Sequence, residues 1–168
     1  MNKNLFKKAS KISRSQVKKT AKSLQKADNE CILADNVNMR DNMNKLIIAV
    51  DFDGVMCDVK FPNIGKPIDG AFEYVRKLHE LGHDLILWTY RNNESLENAV
   101  IWLFRNDCLI FDAINKNTKT WLTRFPNFAR DEVSAKVFAD VYIDDKQIGG
   151  FTGWENAYNY ITKLAKGD

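Results

Sequence analysis

A run of strand-forming residues that ends in two aspartates constrains the fold of this chain more than any other feature. Residues 46–50 read Leu-Ile-Ile-Ala-Val, and Asp51, Asp53 and Gly54 follow directly. A short apolar run that stops at a turn signal is typical of a buried strand in a parallel sheet. Two crowded carboxylates repel each other, and a bound cation or a retained proton relieves the repulsion. The alternative is that Asp-x-Asp-Gly only forms a turn.

Segments with strand and helix periodicity alternate along the rest of the chain. This alternation predicts an α/β, Rossmann-like, doubly wound and mainly parallel sheet. We predict one helix between an Asp69 N-cap and Gly82, and we predict loops at 54–68 and 115–133. The further strands are predicted at 83–89, 109–114 and 137–143, and the further helices at 92–104 and 154–165.

Polar residues close three of the predicted strands. Asp51 and Asp53 follow the first strand, Thr89 ends the second, and Asp144 with Asp145 ends the last. The carboxyl ends of parallel strands lie on one edge of a sheet, where ligands of open α/β proteins bind. The sequence therefore predicts a catalytic site at this edge. Glycine-rich phosphate loops of the GxGxxG and GxxxxGK types are absent from the sequence.

Charge is unevenly distributed and separates an N-terminal extension, 1–44, from a domain at 45–168. Residues 1–26 carry nine Lys or Arg and no acid, which leaves 16 basic and 22 acidic residues, a net charge of −6, in the rest. On a helical wheel the basic and apolar residues of 1–26 fall on opposite halves, as in a basic amphipathic helix. Four interpretations stay open: a solvated tail, a nucleic-acid contact, an anionic membrane contact and an organelle-targeting segment.

Cysteine usage and hydropathy indicate a cytoplasmic location. Cys31, Cys57 and Cys108 are odd in number and lack metal-ligand spacing, which fits free thiols in a reducing compartment. No apolar run approaches the length of a membrane span. His79 and His83 flank a predicted helix end, and we expect both at the surface.

The motifs, in this order, resemble those of the haloacid dehalogenase (HAD) superfamily of phosphohydrolases. The matching residues are Asp51-x-Asp53-Gly54, Thr89, a lysine before the last strand, and Asp144-Asp145. The resemblance spans about 45–163, and several short segments look like a small capless branch of hydrolases. It implies a HAD-like fold and a phosphatase.

The resemblance also implies a role for each of these residues. Asp51 is expected to be the nucleophile and Asp53 the general acid and base. Thr89, backbone donors near Tyr90 and Lys136 are expected to hold the phosphate. Lys136 lies close to Asp144 in sequence, and three other lysines are rivals for its role: Lys116, Lys119 and Lys146.

The implied cofactor is Mg²⁺. Asp51, Asp144 and the backbone carbonyl of Asp53 are the expected ligands, and Asp145 supports the metal through water. Such a shell suits Mg²⁺, which prefers few carboxylates, several waters and substrate phosphate.

The predicted loops are too short for a folded cap domain. The site is therefore expected to be open, unless another subunit of a homo-oligomer covers it. Phe61, Trp88, Tyr90, Arg91 and Trp121 are candidates for its entrance, or for the core. The substrate stays open among sugar phosphates, nucleotides and polynucleotide ends. A phosphotransferase, or a non-catalytic module that binds nucleic acid or an anionic surface through its arm, is the alternative function.

Overall fold

The computed structural model describes residues 43–126 and 134–167. These residues belong to the second of the two units into which the chain divides, Asn42–Asp168. Three predictions lie outside the described residues: the basic helix, the linker up to residue 42, and Cys31. No helix of the described part is both long and apolar enough to cross a membrane.

The described residues form an α/β fold, with one all-parallel sheet of four strands and with four helices, as in Rossmann-like proteins. The strands are β1 (Ile47–Val50), β2 (Asp84–Leu87), β3 (Ala113–Ile114) and β4 (Val141–Ile143), and their order in the sheet is β3-β2-β1-β4. The helices are α1 (Ala71–Glu80), α2 (Asn93–Arg105), α3 (Lys119–Arg124) and α4 (Trp154–Lys166). Register pairs Val50 with Leu87 on one side and with Ile143 on the other, so three strands end side by side.

Alternate residues of β1 pack into two different hydrophobic clusters, one on each face of the sheet. Ile48 and Val50 join the larger cluster with buried residues of α1, α2 and α4, including Leu78, Leu103 and Ile161. Ile47 and Ala49 face a smaller cluster, which the Trp121 ring of α3 helps to cover. Because both faces are covered, the strand has to be apolar throughout, and this explains the continuous apolar run.

The observed strands β2, β3 and β4 are shorter than predicted, and two aspartates explain part of the difference. Asp112 accepts a hydrogen bond from the Leu85 backbone N–H at 2.8 Å, and Asp140 accepts one from the Ile47 N–H at 2.7 Å. These carboxylates take the place of backbone acceptors at the amino edge. The regular pairing therefore begins only at Ala113 and Val141.

Helix boundaries and one histidine also differ from prediction. Helix α1 begins after Gly70, which has a φ of 76°, and Asp69 makes no cap. Helix α3 lies in a segment predicted as loop, because six residues carry too little periodicity to reveal a helix. His79 is exposed as expected, but His83 is buried, and its Nδ1 accepts a hydrogen bond from the Leu46 N–H at 3.2 Å. The surface prediction for His83 was wrong, because its ring lies in the interior, bonded to the residue that precedes β1.

Candidate active site

Asp51 stands where β1 ends, at the carboxyl edge of the sheet. Its N–H continues the ladder by donating to the Ile143 carbonyl of β4 at 2.9 Å. Its carboxylate Oδ1 accepts the N–H of Phe52 at 2.7 Å, which orients the side chain. The Phe52 ring is fully buried in the larger core, so the turn that carries Asp51 is anchored by packing.

Asp144 and Asp145 reach the same point from β4, the neighbour of β1. One carboxylate oxygen from each of Asp51, Asp144 and Asp145 lies within 4.8 Å of the others. Gly54 permits the approach of Asp145, since a Cβ at position 54 would lie 2.5 Å from Asp145 Oδ2, and its φ of 88° also disfavours other residues. The structure thus brings together the three acids that the sequence placed at two separate strand ends.

The electrostatics of this cluster are unfavourable for three ionised carboxylates. Burial raises the pKa of Asp51 to about 7, and the charges of Asp144, Asp145 and Asp53 add to the rise, while the Phe52 N–H opposes it. Asp145 Oδ1 is buried, and no hydrogen-bond partner for it lies among the described residues. Excess negative charge and an unpartnered carboxylate oxygen are what a hard divalent cation would satisfy.

Asp53 is held by a buried arginine. Arg91 donates from Nε and Nη2 to the two Asp53 oxygens, each at 2.7 Å, and is itself only 1% exposed. It also donates to the Pro62 and Asn63 carbonyls at 2.9 and 2.7 Å. Of the two places that the sequence left open for Arg91, the entrance and the core, the structure shows a buried side chain that does not line the cavity, because its guanidinium makes four hydrogen bonds to Asp53, Pro62 and Asn63. The sequence showed the arginine beside Thr89 but not its pairing with a residue 38 positions away.

Thr89 and Tyr90 follow β2 and lie at the same edge. Thr89 is 9% exposed, and its hydroxyl accepts the N–H of Arg91 at 3.2 Å. Asn115, which the sequence analysis missed, fixes the Thr89 backbone: its Oδ1 accepts the Thr89 N–H at 2.8 Å and its Nδ2 donates to the Thr89 carbonyl at 2.9 Å. The sequence signal that could have identified Asn115 is its position as a polar residue directly after β3.

Of the four lysines that were candidates for the phosphate site, one lines the cavity of the acids and three do not. The Lys136 side chain is exposed, with Nζ 5.1 Å from the Tyr142 ring centroid, and it does not line the cavity of the acids. Lys116 and Lys119 are exposed and do not line it either. Lys146 does, and its Nζ is paired with Asp145. Of the four candidates, Lys146 is the lysine that the structure brings to the acids.

A cavity of about 450 Å³ opens above the acids. Its walls combine carboxylates, one lysine and apolar or aromatic side chains. The lining residues are Asp51, Asp53, Val59, Phe61, Trp88, Thr89, Tyr90, Asp144, Asp145 and Lys146. Trp121, a candidate for the entrance, packs instead against the smaller core.

One solved structure resembles this chain closely enough to indicate kinship. It is described as the conserved protein coded by a locus of Bacteroides thetaiotaomicron, and it shares 36% identity with a TM-score of 0.62. The match covers 72% of this chain and 93% of that one. No protein-family model and no curated protein matches the chain.

Proposed function

The chain belongs to the same family as the conserved protein of Bacteroides thetaiotaomicron, and we propose that it is a Mg²⁺-dependent phosphomonoester hydrolase with a HAD-like fold. The observation that carries this proposal is the convergence of Asp51, Asp144 and Asp145 within 4.8 Å at the carboxyl edge of a parallel sheet. Asp53 and Thr89 line the same cavity. This set supplies a nucleophile, an acid or base, a phosphate contact and metal ligands in one place.

Mg²⁺ fits the donor set. Asp51 and Asp144 would hold it with the Asp53 carbonyl, and Asp145 would support it. When bound, the cation would offset the repulsion between a phosphate dianion and the Asp51 carboxylate. The high pKa of Asp51 and the unpartnered Asp145 oxygen both indicate that the cluster is incomplete without positive charge.

In the first chemical step, Asp51 attacks the phosphorus of the ester. A carboxylate oxygen forms a bond to phosphorus while the bond from phosphorus to the ester oxygen breaks, which produces an aspartyl-phosphate. The leaving oxygen takes a proton from the acid, for which Asp53 is the candidate. Thr89 would donate its hydroxyl hydrogen to a phosphate oxygen, since the hydroxyl oxygen already accepts the Arg91 N–H.

In the second step, water replaces Asp51 on phosphorus. Asp53 accepts a proton from the water as its oxygen attacks, the bond between Asp51 and phosphorus breaks, and inorganic phosphate leaves. Both steps need the Asp53 oxygens to face the cavity. With the bidentate Arg91 contact in place, the Asp53 side chain is still 19% exposed, and it lines the cavity.

The absence of a cap belongs to the same proposal. Between β1 and α1, and between β3 and residue 126, the described chain contains short loops and the six-residue helix α3. Segments of this size leave the cavity open to solvent. The entrance side chains then have to contribute to substrate binding, which a cap performs in larger hydrolases.

Phosphate release from a panel of phosphomonoesters, with and without Mg²⁺, tests the proposal. We expect turnover that needs Mg²⁺ and stops with EDTA, and Asp144→Ala should raise the Mg²⁺ requirement or abolish turnover. Tyr160→Ala is a matched control, since Tyr160 is exposed and lies outside this cavity. Failure of the purified protein to release phosphate from any ester, or full activity in EDTA, would contradict the proposal.

A further inference from the structure

Three apolar side chains stand exposed at the mouth of the cavity. Val59 is 60%, Phe61 58% and Tyr90 94% exposed, and all three line the cavity above the acids. Large apolar side chains in solvent carry an unfavourable hydration free energy, which contact with an apolar ligand removes. Their position at one entrance, beside a proposed phosphate site, indicates a ligand that carries a flat ring in addition to its phosphate.

The Phe61 ring already contacts a buried cation. The Arg91 guanidinium lies 5.3 Å from the Phe61 ring centroid and 5.0 Å from that of Phe52. Arg91 is in turn fixed by Asp53 and by the carbonyls of Pro62 and Asn63, the two residues that follow Phe61. One arginine therefore anchors both the proposed acid and an entrance ring. A ring that is already restrained by such a contact loses less side-chain entropy when it binds a planar partner.

The charges of the cavity disfavour long polyanions. Four aspartates line it, and the one cation among its described lining residues, Lys146, is paired with Asp145. Proteins that bind nucleic-acid strands use grooves with free lysines or arginines along the backbone. Phosphates beyond the reacting one would meet negative charge here, so the lining favours small monophosphates.

Resting on the proposed function, we propose that the substrates are small phosphomonoesters with a planar aromatic ring, which packs against Phe61 and Tyr90 while the phosphate reaches the acids. A nucleoside monophosphate is the simplest probe of this class. A sugar phosphate that lacks an aromatic ring should bind more weakly, because stacking on Phe61 and Tyr90 is the main interaction available above the carboxylates.

The test compares adenosine 5′-monophosphate with ribose 5-phosphate. Both release phosphate from the same kind of primary ester, so the chemistry of the leaving oxygen is matched and only the base differs. We expect kcat/KM to be about 5- to 150-fold higher for the nucleotide, the range typical of one stacked base. Phe61→Leu and Tyr90→Leu should each reduce that ratio, since leucine retains apolar volume without a flat face. Tyr160→Leu, an exposed tyrosine outside the cavity, should leave both rates unchanged.

The outcomes separate this proposal from the proposed function. Equal kcat/KM values for the two esters in an active enzyme would overturn the ring preference alone. Absence of hydrolysis with both esters and with the whole panel would overturn the proposed function and this proposal together. A 5′-phosphorylated oligonucleotide that reacts faster than the mononucleotide would overturn the preference for small substrates. Because Phe61 and Tyr90 are exposed, their leucine variants should fold, and an unchanged ratio in both would also overturn the proposal.

Discussion

The guanidinium of Arg91 binds both carboxylate oxygens of Asp53, with Nε and Nη2 each 2.7 Å from an oxygen. Bidentate contacts of this kind fix the direction of a carboxylate as well as stabilise it. Arg91 thereby determines where the proposed acid and base points, although it does not line the cavity itself. We regard it as a positioning residue for Asp53.

Arg91→Lys should lower kcat by about 10- to 100-fold, because lysine retains the charge but cannot hold both oxygens at once. If Arg91 acts through Asp53, Arg91→Lys made in an Asp53→Asn background should lower kcat little further. Steady-state kinetics of the two single variants and the double variant measure this coupling. Arg124→Lys, which alters the pair of Arg124 with Asp140, is the matched control. Losses that multiply in the double variant would refute positioning through Asp53.

Asp53→Asn should slow hydrolysis of an alkyl phosphate by about 10²- to 10⁴-fold, the usual contribution of general acid–base catalysis. The loss should be smaller with p-nitrophenyl phosphate, whose leaving oxygen needs little protonation. Measuring kcat on both esters at one pH checks the prediction. Equal losses on the two esters would count against an acid role.

Asp51→Asn should abolish turnover and at the same time stabilise the metal-free protein. The folded-state pKa of Asp51 is about 7, against 3.8 for an aspartate exposed to solvent, so the protonated form favours folding. That stabilisation is complete below pH 3.8 and is lost as the pH rises through about 7. At pH 8 the uncharged asparagine should therefore raise the free energy of unfolding by roughly 2–4 kcal/mol, with the carboxylate only partly buried.

Urea unfolding of both proteins in EDTA at pH 5 and pH 8 measures this difference. The unfolding free energy of Asp51→Asn should exceed that of the wild type by more at pH 8 than at pH 5. Added Mg²⁺ in place of EDTA should reduce this difference, because it stabilises the wild type by binding to it. A variant that retains turnover would remove Asp51 as nucleophile. A variant less stable than the wild type at pH 8 would contradict the electrostatic account.

His83 should give the domain an acid-sensitive component of stability. Burial lowers its pKa, the positive charge of Lys45 lowers it further, and Asp140 opposes the shift. A depressed histidine pKa contributes stability that is complete above the unfolded value of 6.5 and is lost as the pH falls through the folded value. His83→Leu lacks this component, so its unfolding free energy should fall less than that of the wild type between pH 7.5 and pH 5. Parallel curves for the two proteins over this range would disprove the contribution.

A chain that begins at Met43 should hydrolyse a small phosphomonoester at close to the full-length rate. Met43 already packs on the larger core, and the Asn44 N–H donates to the Ala165 carbonyl at 2.8 Å. If residues 1–26 contact phosphates, the full chain should bind DNA, RNA or anionic vesicles with an affinity that falls steeply with salt, and the shortened chain should not. A full chain with Lys18, Lys19 and Lys22 changed to glutamine is the matched control. Equally weak binding by all three proteins at low salt would remove nucleic acid as a partner.

The sequence by itself determined the α/β class and the acids of the site. An unbroken apolar run followed by Asp51 and Asp53 has few interpretations other than a buried strand with a polar end, because periodicity and turn chemistry are local. For the same reason, the sequence placed Thr89, Asp144 and Asp145 at strand ends, and the structure brings all of them to one cavity. The hydrolase activity and its metal stay predictions.

Tertiary structure alone decided which residues surround those acids. Asp53 and Arg91 lie 38 positions apart, and Thr89 and Asn115 lie 26 apart, so neither pairing leaves a local pattern. The same holds for the cavity lysine: the family resemblance favoured Lys136, whereas the geometry brings Lys146 to the acids, because only the path of the chain after β4 decides which ammonium group reaches the cavity. Side-chain partners across a sheet depend on register and loop course, and these are set by packing over the whole domain.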